Sequence, residues 1–188
     1  PIWDGSDWSD PEVTRSPAWA IAQVLRSRGT ADDAIDLSSL LALSTVWADR
    51  YDYFDYKFGE QISTWEAVAM IARVGRAIPL IRGSRYTFVR DAPQTMPLAA
   101  YSMRNIRRGS LQLMPVLASS ETMRTLDMEY WNFRRWTWET VTAQIYAGVI
   151  YVYRGEIEFA ALGIPAPDPN LRGRIKMPGI IGLNHAKR

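Results

Sequence analysis

The residues best equipped for chemistry in this chain are its aromatics and its arginines. Eight Trp and nine Tyr occur among 188 residues, and guanidinium groups stand near them at Arg134 and Arg135 or cluster at Arg104, Arg107 and Arg108. Rings of this kind can stack on sugars or on single-stranded bases while Arg supplies charge. The same residue types also fill cores and the dry centres of protein interfaces. Here they recur mostly at strand-alternating or helix-face positions, which favours the core and interface reading. No aromatic run of the RNP type accompanies them, so nucleic acid is not an expected partner.

Catalysis finds less to work with. A Ser-His-Asp arrangement needs a held imidazole, and the single histidine, His185, falls near the end of the chain, where fraying is expected. There is no cysteine, which removes disulfide frameworks and thiolate metal sites. The adjacent acids Asp32 and Asp33 read as solvated loop charge, not as metal ligands. Neither GxxxxGK[ST] nor GxGxxG follows any strand, and Gly75, Gly83 and Gly109 read as turn and cap glycines. A glycosidase pair of carboxylates has no fixed sequence spacing, so a cell-wall hydrolase stands as a third reading. The expectation is a protein that is not an enzyme and that carries no cofactor and no metal.

The elements that must position these residues centre on 63–90. Ser63 and Glu66 have capping-box spacing, so a helix is expected from Thr64, with Trp65, Val68, Ala69 and Ala72 on one face and apolar residues over most of the rest. Gly75 ends it. Ile78–Ile81 and Tyr86–Val89 then read as a hairpin around Arg82–Arg85, with Pro79 tolerable near a strand start or edge.

Before this unit, 1–15 reads as an irregular arm. Ser16-Pro17 opens a helix that Gly29 stops, with Trp19 facing away from the local core and covered by another segment or by a partner. Asp36 caps a helix over 37–50 that breaks near Ser44-Thr45. Alternating Phe54, Tyr56 and Phe58 predict a half-buried strand within 51–63, leading into the central helix.

After Pro93 and Pro97 the texture turns to strands at 110–114, 125–131, 136–142, 146–153 and 174–177, with the second and third forming an antiparallel hairpin and 163–170 a loop. The fold class is α+β: a helical unit with a hairpin over 1–92, then an antiparallel β-rich unit over 93–188. The formal charge of +2 is too small to demand a polyanionic partner. No apolar run approaches the roughly 20 residues that span a bilayer. Starting at Pro1 without Met and stopping at Asn184–Arg188, where a helix is beginning, the chain reads as a piece of a longer protein.

In order along the chain, Arg15-Ser16-Pro17-Ala18-Trp19-Ala20, Ile35-Asp36-Leu37, Trp47-Ala48, Trp65-Glu66-Ala67, Ile71-Ala72-Arg73 and Val89-Arg90-Asp91 precede Met103–Ser110. Ser119–Thr122, Met128-Glu129-Tyr130-Trp131, Trp136, Val141-Thr142, Ile175-Lys176-Met177 and His185-Ala186 follow. This succession resembles phage tail proteins of the host-specificity, or tip-attachment, type found in lambda-like tails. The resemblance covers nearly the whole chain and departs from the family at 144–168, where a shorter polar connection is expected. It implies a virion structural protein from the central hub of a non-contractile tail, assembled in the bacterial cytoplasm as a homotrimer with other tail-tip proteins. Receptor contacts would come mainly from regions beyond this segment, and no catalytic residues carry over. Trp19, Trp131, Trp136, Trp138, Arg104, Arg107 and Arg108 are the candidate interface residues. A carbohydrate-binding module acting at the host surface is the alternative.

Overall fold

The computed structural model describes residues 1–93, 102, 104–112 and 123–187. They belong to two compact units, one made of Pro1–Asp91 with Met123–Arg188 and the other of Ala92–Thr122. Sequence texture divides the chain near 92/93, yet the sheet residues after 123 complete the same core as the helices. Tyr130, Val141, Ile180 and Ala186 belong to one buried cluster with Ile21, Leu25, Leu40, Trp47 and Ile71. The class is α+β.

Three helices supply the first half of that core. In α1 (Pro17–Ser27), Pro at the first position leaves no N–H to satisfy, and Ala18, Ile21, Ala22 and Leu25 are buried at helical spacing. Ser16 contributes only backbone to the cap: its carbonyl accepts from Ala20 at 3.1 Å, while its hydroxyl is enclosed without a partner among the described residues. In α2 (Leu37–Arg50), the Asp36 carboxylate accepts from the Ser39 N–H. The break expected at Ser44-Thr45 is absent, because both hydroxyls donate back to the Leu41 carbonyl, at 2.7 and 3.3 Å, and so stay within the helix. α3 (Thr64–Val74) carries the full capping box between Ser63 and Glu66. It buries Ala67, Val68, Ile71, Ala72 and Val74 but leaves Trp65 half exposed, beside Tyr86, and not on the core face.

Gly75 follows α3 because nothing larger fits. A Cβ there would stand 2.0 Å from the buried Trp47 ring, whose Nε1–H donates to the Gly75 carbonyl at 2.8 Å. β1 (Ala77–Arg82) and β2 (Arg85–Arg90) form the expected antiparallel hairpin, with Pro79 opposite Phe88 in a two-stranded sheet.

The segment 51–63 is not a strand. Its backbone donors go to two different partners, Phe54 to the Arg15 carbonyl and Asp55 to the Gly179 carbonyl, so no single ladder forms. The alternating rings instead pack against one another, with Tyr56 edge-on to Phe58 at 5.2 Å.

The second half of the core is a four-stranded sheet in the order β5-β4-β3-β6. β3 (Thr125–Asn132) and β4 (Thr137–Tyr146) form the predicted hairpin, with Trp131 opposite Trp138. Ala147 and Gly148, both at positive φ, turn the chain into β5 (Val149–Tyr153), so the run expected at 146–153 is interrupted by a tight turn of the type that matches strand twist. α4 (Gly155–Ala161) and a crossover then return the chain to β6 (Arg172–Ile181), which lies parallel to β3 and is longer than the expected 174–177. The predicted antiparallel unit is thus mixed. α5 (Leu183–Ala186) closes the described chain. Residues 110–112 are not in a strand, and 113–114 lie outside the described residues.

A charged lock places β6. Asp127, 1% exposed, accepts from Arg172 Nε at 2.6 Å and Nη2 at 2.9 Å, and from the Thr142 hydroxyl at 2.8 Å. The carboxylate therefore ties three strands together, with Thr142 directly opposite on β4 and Arg172 reaching it diagonally from two residues along β6. Beside it the Tyr153 hydroxyl donates to Gln144, whose amide donates to the Pro165 carbonyl and anchors the crossover.

Candidate functional site: an aromatic groove at the hairpin end

The β3–β4 turn gathers three of the candidate tryptophans. The Asn132 Oδ1 accepts from the Arg134 and Arg135 N–H groups at 3.0 and 3.4 Å, an Asx turn that reverses the chain, and Trp136 completes the turn at φ 52°. Cross-strand pairing then sets Trp131 edge-on to Trp138 at 5.6 Å and to Trp136 at 6.5 Å. Lys176 on β6 stands 4.0 Å from the centre of the Trp138 ring. Trp136 is 79% exposed and Trp138 39%, so rings held by a sheet are nevertheless offered to solvent.

Next to them lies a groove of about 880 Å³, lined by the 51–55 segment, the turn around Phe133 and the residues from Ile181 to His185. Its aromatic wall comprises Tyr51, Tyr53, Trp131 and Phe133. Tyr51 sits in a left-handed conformation at the end of α2, which turns its ring outward to 66% exposure. Arg15 lies 4.6 Å over the Tyr53 ring and grips Asp55 through Nε and Nη2, at 3.0 and 2.6 Å to one oxygen. That hydrogen bond raises the Arg15 pKa above its ordinary value.

Beneath the hairpin, the buried Tyr130 hydroxyl donates to Glu139 at 2.8 Å. Burial first, and then the hydrogen bond to Glu139, push the Tyr130 phenol up to about 12. Glu139 is held below the ordinary carboxylate range by the Asn132 side chain, the Tyr130 hydroxyl and the charges of Arg135 and Arg154. These contacts fix the base of the turn from below.

Trp19 does not belong to this surface. It is 5% exposed, covered edge-on by Trp8, whose own ring is pinned by a 2.8 Å hydrogen bond to Asp32 and by Arg26 at 4.2 Å over its face. The N-terminal arm supplies the cover, so Trp19 is corrected from interface candidate to core residue. Asp32 is correspondingly engaged in that arm contact. Arg104, Arg107 and Arg108 are exposed and belong to the smaller unit, where Ser102 and Ser110 hydrogen bonds shape the turn that carries them.

His185 is held, not frayed: it is 8% exposed, with Nε2 2.9 Å from the Val74 carbonyl and 3.6 Å from Asp52. Sequence reasoning missed Arg15, Tyr51, Tyr53 and Phe133 as groove residues. The aromatic run from Tyr51 to Phe58 is the available signal, and its alternation mimics that of a strand.

Among the described residues no group of three or more His, Cys, Asp or Glu is placed to hold a metal ion. No described helix is long and apolar enough to cross a membrane. No family model matches the chain, and no curated protein matches it significantly.

Proposed function

We propose that the chain is a structural part of a bacteriophage or prophage tail tip, contributing to the central hub and docking there against other tail-tip proteins and copies of itself in a homotrimer. One observation carries this reading: tryptophans displayed at the end of a sheet whose base is locked by hydrogen bonds. Trp, Tyr and Arg dominate the energetics of protein interfaces, and large rings kept in water need a reason. The ordered likeness of the sequence to tip-attachment proteins supplies the biological setting, with assembly in the host cytoplasm and residence in the virion. Receptor contact belongs to regions outside this segment.

Cross-linking of intact tail particles through Lys176, which neighbours Trp138, tests the proposal. Cross-links from Lys176 to another tail protein or to a second copy are expected. Absence of the protein from purified particles overturns it.

A second reading rests on the groove itself, where the exposed rings of Tyr51 and Phe133 stand with Arg and Asn donors, as a saccharide platform requires. Binding of the chain to host-surface polysaccharide, lost in Tyr51→Ala, would favour it. For a hydrolase the same groove is poorly furnished: Asp55 is the one carboxylate among its lining residues and is already engaged by Arg15. A turnover assay on cell-wall material is expected to give no product.

A further inference from the structure

Away from the aromatic groove, arginines from several elements converge on one small cavity. Arg50 ends α2, Arg73 stands in the last turn of α3, Arg76 precedes β1 and Arg90 ends β2. The first three line a cavity of about 210 Å³ whose other walls include Val74, Met128, Met177 and Ile180. Arg90 lies within electrostatic reach of Arg50 and Arg76, and burial together with those two like charges lowers its pKa from the ordinary value. Its Nε is enclosed and has no hydrogen-bond partner among the described residues. Against these four guanidinium groups stand two carboxylates. Asp52 is bonded to Arg50 at 3.0 Å, and Asp91, 89% exposed, reaches Arg76 only at 3.8 Å.

The backbone adds an independent sign. Arg76 holds φ 57° without being glycine, a conformation that a bulky residue adopts at a cost of about 1 kcal/mol or more. Glycine would meet that φ freely. A charged residue kept there, within reach of another guanidinium, is explained if the guanidinium has work to do.

We infer that Arg50, Arg73, Arg76 and Arg90 form a binding site for a phosphate-class dianion. The apolar floor lowers the local dielectric and strengthens each guanidinium–oxyanion contact. Arg forks match tetrahedral oxyanions with paired N–H donors, and the orphaned Arg90 Nε–H supplies one donor in need of an acceptor. Guanidinium groups outnumber carboxylates in the cluster by four to two, which favours a dianion, and a cavity of about 210 Å³ admits a phosphate group together with several waters.

Thermal unfolding in inorganic phosphate, compared with chloride at matched ionic strength, reads the site. The Tm of the unaltered chain is expected to rise by about 3 to 5 °C at roughly ten times Kd. The rise should vanish in Arg90→Gln and in Arg76→Gly. In chloride, Arg76→Gly should unfold within about 2 °C of the parent, because it relieves a left-handed residue and a like charge, so its lost response is not lost fold. No rise in the parent, or an undiminished rise in either variant, overturns the inference. An equal rise with acetate or glutamate also overturns it and reassigns the cluster to a carboxylate of a protein neighbour.

Discussion

Replacing Arg172 by Met should destabilise the protein more than replacing Asp127 by Asn, although both changes break the same ion pair. The two partners differ in access to water: the Asp127 side chain is 1% exposed and that of Arg172 41%. Arg172→Met strands a buried carboxylate with only the Thr142 hydroxyl at 2.8 Å for company, a situation that typically costs about 3 to 5 kcal/mol. Asp127→Asn keeps the volume and an acceptor for Thr142, and releases a guanidinium already half in solvent. Losing the charge-assisted bonds to Arg172 costs about 1.5 to 3 kcal/mol, part of which hydration of the freed guanidinium returns, leaving about 1 to 2 kcal/mol. In the double variant the penalties should fall short of their sum by about 1 kcal/mol or more, as expected for groups in contact. Urea unfolding with unchanged m-values measures all three. If Asp127→Asn proves as damaging as Arg172→Met, the cost does not come from stranding a buried carboxylate, and the reasoning fails.

Other outcomes follow from single contacts. Tyr130 has a folded pKa of about 12 against an ordinary 10, so its contribution is fully present below about pH 10 and is lost as pH rises through about 12. That window should remove about 2 to 3 kcal/mol, and Tyr130→Phe should flatten it in alkaline urea titrations. Gly75→Ala forces a methyl against the Trp47 ring; a loss of about 3 kcal/mol is expected, with a shift in Trp fluorescence, and an unchanged spectrum would contradict the packing described. Ser63→Ala removes the hydroxyl half of the α3 capping box and should cost about 1 kcal/mol by urea unfolding.

What could be read from the sequence was what local chemistry decides. The Ser63/Glu66 box, Pro17, the Asp36 cap and the 125–142 hairpin are each specified within a few residues, because capping and hairpin alternation act over one turn or one strand pair. What escaped depends on partners far along the chain. The rings at 54, 56 and 58 alternate like a strand, but their backbone is claimed by residues near 15 and 179. β6 lies parallel to β3 through a crossover, and parallel pairing leaves no hairpin signature. Trp19 faces outward on its own helix and becomes core only because the N-terminal arm folds over it. Trp131, Trp136 and Trp138 were legible as a cluster because one hairpin holds them; Arg15, Tyr51 and Tyr53 meet Trp131 across the groove only through tertiary structure.

The docking role of the exposed rings can be tested on particles. Trp136 is largely in water, so Trp136→Ala should alter stability by no more than about 1 kcal/mol, whereas adding Trp138→Ala, which also removes the contacts with Trp131 and Lys176, should bring the loss to about 2 to 4 kcal/mol while leaving the chain folded. Antibody against this chain, applied to tails induced from its source and viewed by electron microscopy, should label the tail tip, and tips built with the double variant should lose most of that label. Unlabelled tails, or full occupancy by the double variant, would contradict the claim that these rings hold the protein in a tail.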